Sequence, residues 1–237
     1  MTAADRLIIA LDVPALAPAL ELGRALGRHV GMLKVGLELF NAEGPPAIAA
    51  LRALGARVFY DAKLYDIPNT VAGAAAAAGR MGVAMVNVHA LGGRAMMRAA
   101  KEGAARGARE AGHAIPLVIA VTVVTSLGEA EVRGELGLPE SPREAAVRLA
   151  LLAREAGLDG VVASAREARA IKAAAGEGFL VVTPGIRPAW AEAGDQARLA
   201  TPRAALEAGA DYLVVGRPVT RAADPLAALS RLVDEMG

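Results

Sequence analysis

Eight short apolar runs recur along the chain, at 7–12, 32–36, 58–62, 85–89, 117–124, 160–163, 180–183 and 212–216. Helically patterned stretches, many of them alanine-rich, follow them at 14–27, 45–54, 70–80, 94–111, 143–156, 166–174, 202–208 and 225–236. Strands that are apolar throughout, each followed by a helix, imply a parallel sheet covered on both faces. Eight such units in 237 residues predict closure into one (β/α)8 barrel, a TIM barrel, as a single domain over residues 1–237. An open doubly wound sheet is the alternative. Gly157-Leu158-Asp159 and Gly209-Ala210-Asp211 read as helix stops turning into strands, a trace of an old βα repeat. The alanine run at 74–78 reads as a tightly packed helix.

Composition narrows the function classes. Hydrophobic residues make up 54% of the chain but aromatics only 3%, so the core must be built from Ala, Val, Leu and Ile. A net charge of +1 offers no broad basic field for nucleic acid or a membrane surface. With no cysteine, disulfides, thiolate catalysis and cysteine metal sites are excluded. Neither a signal peptide nor an unbroken spanning segment is legible, so a cytoplasmic location is expected. Only four of the 26 basic residues are lysines, namely Lys34, Lys63, Lys101 and Lys172. In a chain that prefers Arg for surface charge, a Lys at a strand end needs a reason; Lys can give up a proton and regain it, whereas Arg effectively cannot.

Active sites of such barrels lie at the C-terminal ends of the strands. The first run ends at Asp12, the second carries Lys34, and the third ends in Asp61-Ala62-Lys63. Residues two apart on a strand face the same way, so Asp61 and Lys63 are expected to share the barrel mouth with Asp12 and Lys34. Asp66 is expected to add a third carboxylate and to hold Lys63 between itself and Asp61. A structural salt-bridge network would explain one such pair; five charges at adjacent strand ends point to function. Gly216-Arg217 and Gly185 follow the last two strands, where barrels commonly bind phosphate: glycine admits the anion to backbone N–H groups and Arg supplies a charged fork. The long connection from 184 to 200 has the length of a lid, with Gln196 as its candidate phosphate contact. His89 ends a strand and is either a neighbour of the site or a satisfied core histidine. His29 and His113 read as solvated helix-end residues, and Trp190 as an exposed packing residue. No dinucleotide or Walker loop is present, and no metal-ligand pattern either.

The segment Asp61-Ala62-Lys63-Leu64-Tyr65-Asp66-Ile67-Pro68-Asn69-Thr70 resembles the orotidine 5′-phosphate decarboxylase family, whose signature Asp-x-Lys-x-x-Asp-Ile-x-x-Thr it matches in full. The resemblance extends over nearly the whole chain, through Leu11-Asp12-Val13, Leu33-Lys34-Val35-Gly36, Asn87-Val88-His89-Ala90, the segment ending in Thr125-Ser126, Thr183-Pro184-Gly185-Ile186-Arg187, Gly194-Asp195-Gln196-Ala197-Arg198 and Val215-Gly216-Arg217. It implies a TIM barrel that converts orotidine 5′-phosphate to uridine 5′-phosphate (UMP) and CO2, the last step of UMP synthesis, with no cofactor and no metal. It also implies a homodimer with a shared active site. By resemblance Lys63, Asp61, Asp66 and Lys34 are catalytic; Asp66 and Thr70 reach the partner's site and the ribose. Asp12 and Lys34 hold ribose hydroxyls, Thr125 and Ser126 read the pyrimidine edge, and Gln196, Gly216 and Arg217 hold the phosphate. Arg187 anchors the lid or the substrate. Related Mg²⁺-dependent sugar-phosphate decarboxylases and aldolases share Asp-x-Lys-x-x-Asp, but they carry an acidic metal ligand on strand two, where this chain has Lys34. A barrel kept as a scaffold or nucleotide-binding protein is a further alternative; it would not need the intact charge cluster.

Overall fold

A computed structural model of the protein describes residues 2–191 and 199–237. Eight strands form a closed barrel: β1 (Leu7–Ala10), β2 (Met32–Val35), β3 (Val58–Leu64), β4 (Met85–His89), β5 (Leu117–Val121), β6 (Gly160–Val162), β7 (Leu180–Thr183) and β8 (Tyr212–Val215). Every neighbouring pair is parallel, and β8 closes on β1 through Leu7↔Leu213, Ile8↔Val214 and Ile9↔Val215. The open sheet is thereby ruled out.

The helices are α1 (Leu16–Leu26), α2 (Leu37–Glu43), α3 (Pro45–Ala53), α4 (Pro68–Arg80), α5 (Gly93–Glu110), α6 (Glu129–Gly134), α7 (Pro142–Glu155), α8 (Ala165–Ala175), α9 (Pro202–Glu207), α10 (Arg217–Thr220) and α11 (Pro225–Met236). Their starts are written in local chemistry. Ser141, Thr201 and Asp224 cap the first N–H groups of α7, α9 and α11, and in each a proline follows at the first helical position. Gly157 and Gly209 do stop helices, at φ +85° and +100°, where a side chain would be strained.

The expected strands at 7–12, 32–36, 117–124 and 212–216 end earlier, at Ala10, Val35, Val121 and Val215, because their last residues turn out of the ladder to carry the mouth. β3 runs longer than expected. It slips register between Tyr60 and Leu64 and regains β4 at Leu64↔Val88. The short helices α2, α6 and α10 have too few residues to show a period in the sequence.

Inside the barrel, Ile8, Met32, Phe59, Met85, Ile119, Val182 and Tyr212 form an apolar floor. The larger core lies between strands and helices. Both ends of the barrel carry lysine–aspartate pairs. At the N-terminal end Asp159 accepts from Val118 N–H and pairs with Lys101, while Asp211 accepts from Val181 N–H and pairs with buried Lys172. The two Gly-x-Asp turns thus do the same job at β5 and at β7, as a repeat would.

Alanine and glycine set the distance between α4 and α5. A Cβ on Gly103 would lie 2.3 Å from the Ala72 carbonyl oxygen, and one on Gly107 only 1.9 Å from that of Ala76. The alanine run of α4 is therefore a backbone-to-backbone contact surface, as its composition predicts. Gly→Ala inside a helix ordinarily stabilises by up to ~1 kcal/mol. For Gly107→Ala the sign should reverse, because the helices must part; we expect a loss of about 1–3 kcal/mol in denaturant unfolding. An equal or higher midpoint would show that α4 and α5 do not touch in this way.

Candidate active site

Strand alternation sends Ala10, Lys34, Phe59, Asp61, Lys63, Asn87 and His89 inward on β2, β3 and β4 and at the end of β1, with Asp12 just beyond it. Of these, Ala10, Asp12, Lys34, Phe59, Asp61 and Lys63 line a cavity of about 270 Å³ at the C-terminal mouth. One half of its wall is charged: Asp12, Lys34, Asp61 and Lys63. Facing it, Val121, Val123, Val162, Val182, Ile186 and Val214 make the other half apolar.

The charges form a chain of alternating sign. Lys34 Nζ lies 3.1 Å from Asp12 Oδ1 and 3.2 Å from Asp61 Oδ2, and Lys63 Nζ lies 2.7 Å from Asp61 Oδ1. Lys34 and Asp61 are each only 8% exposed, so neither ion is tolerable without the others. Burial alone would push the Asp61 carboxyl up, but the Lys34 and Lys63 ammonium groups outweigh it and hold it below its ordinary value. Burial likewise pulls Lys34 down, and the Asp61 and Asp12 carboxylates more than reverse that. The pair stays ionised through the neutral range. Gly36 leaves room for it, since a Cβ there would lie 3.0 Å from Lys34 Nζ.

Lys63 stands in a left-handed backbone conformation, φ +49°, unique among the described non-glycine residues. Such a conformation costs about 1–2 kcal/mol. It coincides with the register slip of β3 and turns the Lys63 ammonium onto Asp61. Asn87 on β4 supports this turn: its Oδ1 accepts the Lys63 N–H at 2.7 Å and its Nδ2 donates to Asp61 Oδ1 at 2.6 Å. In the sequence Asn87 stands out only as part of a resembling segment. Its inward parity with Met85 and His89, beside the strand of Asp61, was the available signal. The apolar half of the wall went unnoticed for the opposite reason, as valines at strand ends read as ordinary core.

The expectation for Asp66 needs correcting. Lys63 is not held between two carboxylates of its own chain. Past Leu64 the chain turns outward into α4, and Asp66 Oδ1 accepts the Ile67 N–H at 2.6 Å on the exposed surface. Thr70 is exposed on the first turn of α4. Of the other expected site residues, Thr125, Arg187, Gly216 and Arg217 line the cavity with Gly185. Ser126 follows Thr125 at the exposed edge, outside the lining. Arg187 carries a buried Nε with no acceptor among the described residues. The base of the 184–200 connection is tied by Arg187 N–H to Ala200 O and Ala200 N–H to Gly185 O. Gln196 lies outside the described residues, as do Gly194, Asp195, Ala197 and Arg198. Trp190 is half-buried rather than exposed, because the Arg231 guanidinium of α11 covers its ring at 4.5 Å. His89 is also half-buried; burial, and then the nearby Lys63 charge, pull its imidazole below its ordinary value. Its ring lies 5.8 Å from that of Tyr65.

Known proteins resemble this chain over nearly its whole length. The model of the orotidine 5′-phosphate decarboxylase / HUMPS family matches residues 5–232. The chain is 58% identical over 233 residues to the orotidine 5′-phosphate decarboxylase of Alkalilimnicola ehrlichii, covering 98% of this chain and 96% of that one. It is 52% identical over 236 residues to that of Moorella thermoacetica, covering 100% and 94%. The crystal structure of orotidine 5′-phosphate decarboxylase from Lactobacillus acidophilus is similar at a TM-score of 0.86 and 38% identity, over 98% of each chain. Likeness of that depth over that length leaves one assignment: this chain belongs to the orotidine 5′-phosphate decarboxylase / HUMPS family.

Proposed function

We propose that the protein decarboxylates orotidine 5′-phosphate to UMP and CO2, the final step of UMP synthesis, and that it does so without a cofactor. The observation that carries this reading is the Asp12–Lys34–Asp61–Lys63 chain, with Lys63 at its open end facing an apolar wall. The C6–carboxylate bond breaks and leaves its electron pair on C6, where the pyrimidine stabilises it poorly. Electrostatics must then hold the developing charge, and the Lys63 ammonium is the more exposed of the two cations of the site. Lys63 gives its proton to C6, and the resulting amine regains one from solvent. Asp61 is fixed and ionised, so the substrate carboxylate placed near it is destabilised, while the transition state, which sheds CO2, is less so. The low dielectric of the valine half strengthens each of these terms.

Binding distributes over the rest of the mouth. Asp12 and Lys34 hold ribose hydroxyls. Thr125 and Ser126 read the pyrimidine edge, Thr125 from the wall and Ser126 from the rim. Gly216, Arg217 and Gln196 hold the phosphate, and the Nε of Arg187, without an acceptor among the described residues, supports an anion-binding role there. Asp66 and Thr70 act in the site of a second protomer. The exposure of Tyr65 and Ile67, 62% and 66% on either side of Asp66, supports a homodimer that covers them. The same reading places the enzyme in the cytoplasm, with neither nucleic acid nor membrane as partner; no helix among the described residues is long and apolar enough to cross a bilayer. Against the Mg²⁺-dependent relatives stands Lys34, an ammonium where a metal ligand would be needed.

Activity should therefore persist unchanged in EDTA when decarboxylation is followed at the pyrimidine absorbance; a strict Mg²⁺ requirement would move the protein to the metal-dependent relatives. Mixing Asp66→Asn with Lys63→Ala protein should restore up to about a quarter of the parent activity, because half the dimers are hybrids with one intact site of two. No recovery despite verified subunit exchange would argue against a shared site. Lys63→Ala should lose at least ~10⁴ in kcat while still binding UMP, since both the proton donor and the charge are gone. Lys63→Arg should rescue little, being a poor acid on a larger side chain. Turnover of Lys63→Ala within tenfold of the parent would remove Lys63 from the mechanism.

A further inference from the structure

Asn87 is a buried polar side chain at the mouth to which the reading above gives no task. It is 1% exposed, and both ends of its amide are used on the site itself. The carbonyl accepts the backbone N–H of Lys63, and the amino group donates to Asp61 Oδ1, the same oxygen that receives the Lys63 ammonium. One side chain thus touches the main chain of the proposed acid and the carboxylate it pairs with. The bond to Lys63 N–H falls where β3 leaves its ladder register and where φ is +49°, so the β4 backbone is not there to hold that residue.

We propose that Asn87 is a positioning residue for the decarboxylation, fixing through both ends of its amide where the Asp61–Lys63 pair stands relative to the reacting carbon. The inference rests on the decarboxylase reading. Asn suits the task because it alone offers, at this length, an acceptor for the peptide N–H and a neutral donor for the carboxylate. Without it the Lys63 N–H is buried and unpaired, and the left-handed turn can relax toward ordinary strand. The Lys63 ammonium then keeps its chemistry but loses its place. The hydrogen bonds of Asn87 go to Lys63 and Asp61 and not to the groups proposed to hold ribose and phosphate, so ground-state affinity should be spared.

The test uses the full-length parent, Asn87→Ala and Asn87→Asp, with kcat, KM, UMP affinity and thermal unfolding measured on the same preparations. Asn87→Ala should lose about 10² in kcat, with KM and UMP affinity within about threefold of the parent, because displacement of a reacting group by about 1 Å carries that cost. Asn87→Asp keeps the acceptor for Lys63 N–H but sets a second carboxylate against Asp61, and like charges at that distance raise a carboxyl pKa. Its kcat profile should move its acid limb up by about one pH unit or more. A purely structural Asn87 predicts something else: a lower melting temperature, with kcat of the folded Asn87→Ala within about threefold of the parent and no displacement of the acid limb in Asn87→Asp. Either of those two kinetic results overturns the proposal, and if Asn87→Ala does not fold, the Asn87→Asp profile decides alone. The parent is assayed first. An inactive parent sinks the decarboxylase reading, whereas an active parent with unaltered variants sinks only the role of Asn87.

Discussion

The carboxylate of Asp61, buried between two ammonium groups, is the interaction around which the mouth of this barrel is arranged. A buried carboxylate with one partner would be a poor investment, since desolvation can exceed the attraction it gains. With Lys34 on one oxygen, and Lys63 and Asn87 on the other, it becomes the most thoroughly satisfied group of the site. Each neighbour then depends on it. Lys34, at 8% exposure, has its charge favoured by Asp61 and Asp12 against the pull of burial, and Lys63 is aimed by the pair it makes. The strained turn at Lys63 is the local cost of that aim.

The barrel divides the labour between its halves. β1–β4 deliver the inward-facing ions and amide, and β5–β8 deliver valines at corresponding heights. An all-polar mouth would leave the ions solvated and weak; an all-apolar one could not hold them. The apolar floor below, Phe59 and Met32 among it, closes the barrel interior with buried side chains. Closure of the barrel is what brings the two halves face to face, for β1 and β8 are neighbours only because the sheet has no edges.

Much of this was legible in the sequence, for identifiable reasons. The strands β4 and β7 and the helix α11 can be read to the residue because apolar runs end there on turn or capping residues. Asp12, Lys34, Asp61 and Lys63 were found because parity and barrel rules place strand ends together. Sequence alone misjudged whatever depended on departures from the ladder. β3 runs on to Leu64 through a register slip, and Asp66 turns away from Lys63 because the chain is already entering α4. Asn87 is not legible in the same way, because a lone amide inside an apolar strand gives no pattern until its neighbours across the ladder are known.

The use of basic residues follows the same physics across the molecule. Among the described residues each of the four lysines pairs with aspartate, and all five pairings lie at the two ends of the barrel. Other ion pairs among the described residues join arginine to glutamate on or between the helices and their connections: Arg80–Glu110, Arg94–Glu155, Arg106–Glu110, Arg133–Glu129 and Arg148–Glu140. A short carboxylate leaves little rotamer freedom to lose, and an ammonium is a compact charge that three acceptors can share, as Lys172 does with Asp211, Glu177 O and Phe179 O. Long Arg–Glu pairs in solvent are each worth about 0–1 kcal/mol and can be exchanged freely. The scarcity of lysine is therefore informative in itself. This chain places lysine where a cation must be held at a fixed point among buried groups, twice to tie the N-terminal end of the barrel and twice to build the charged wall of its mouth.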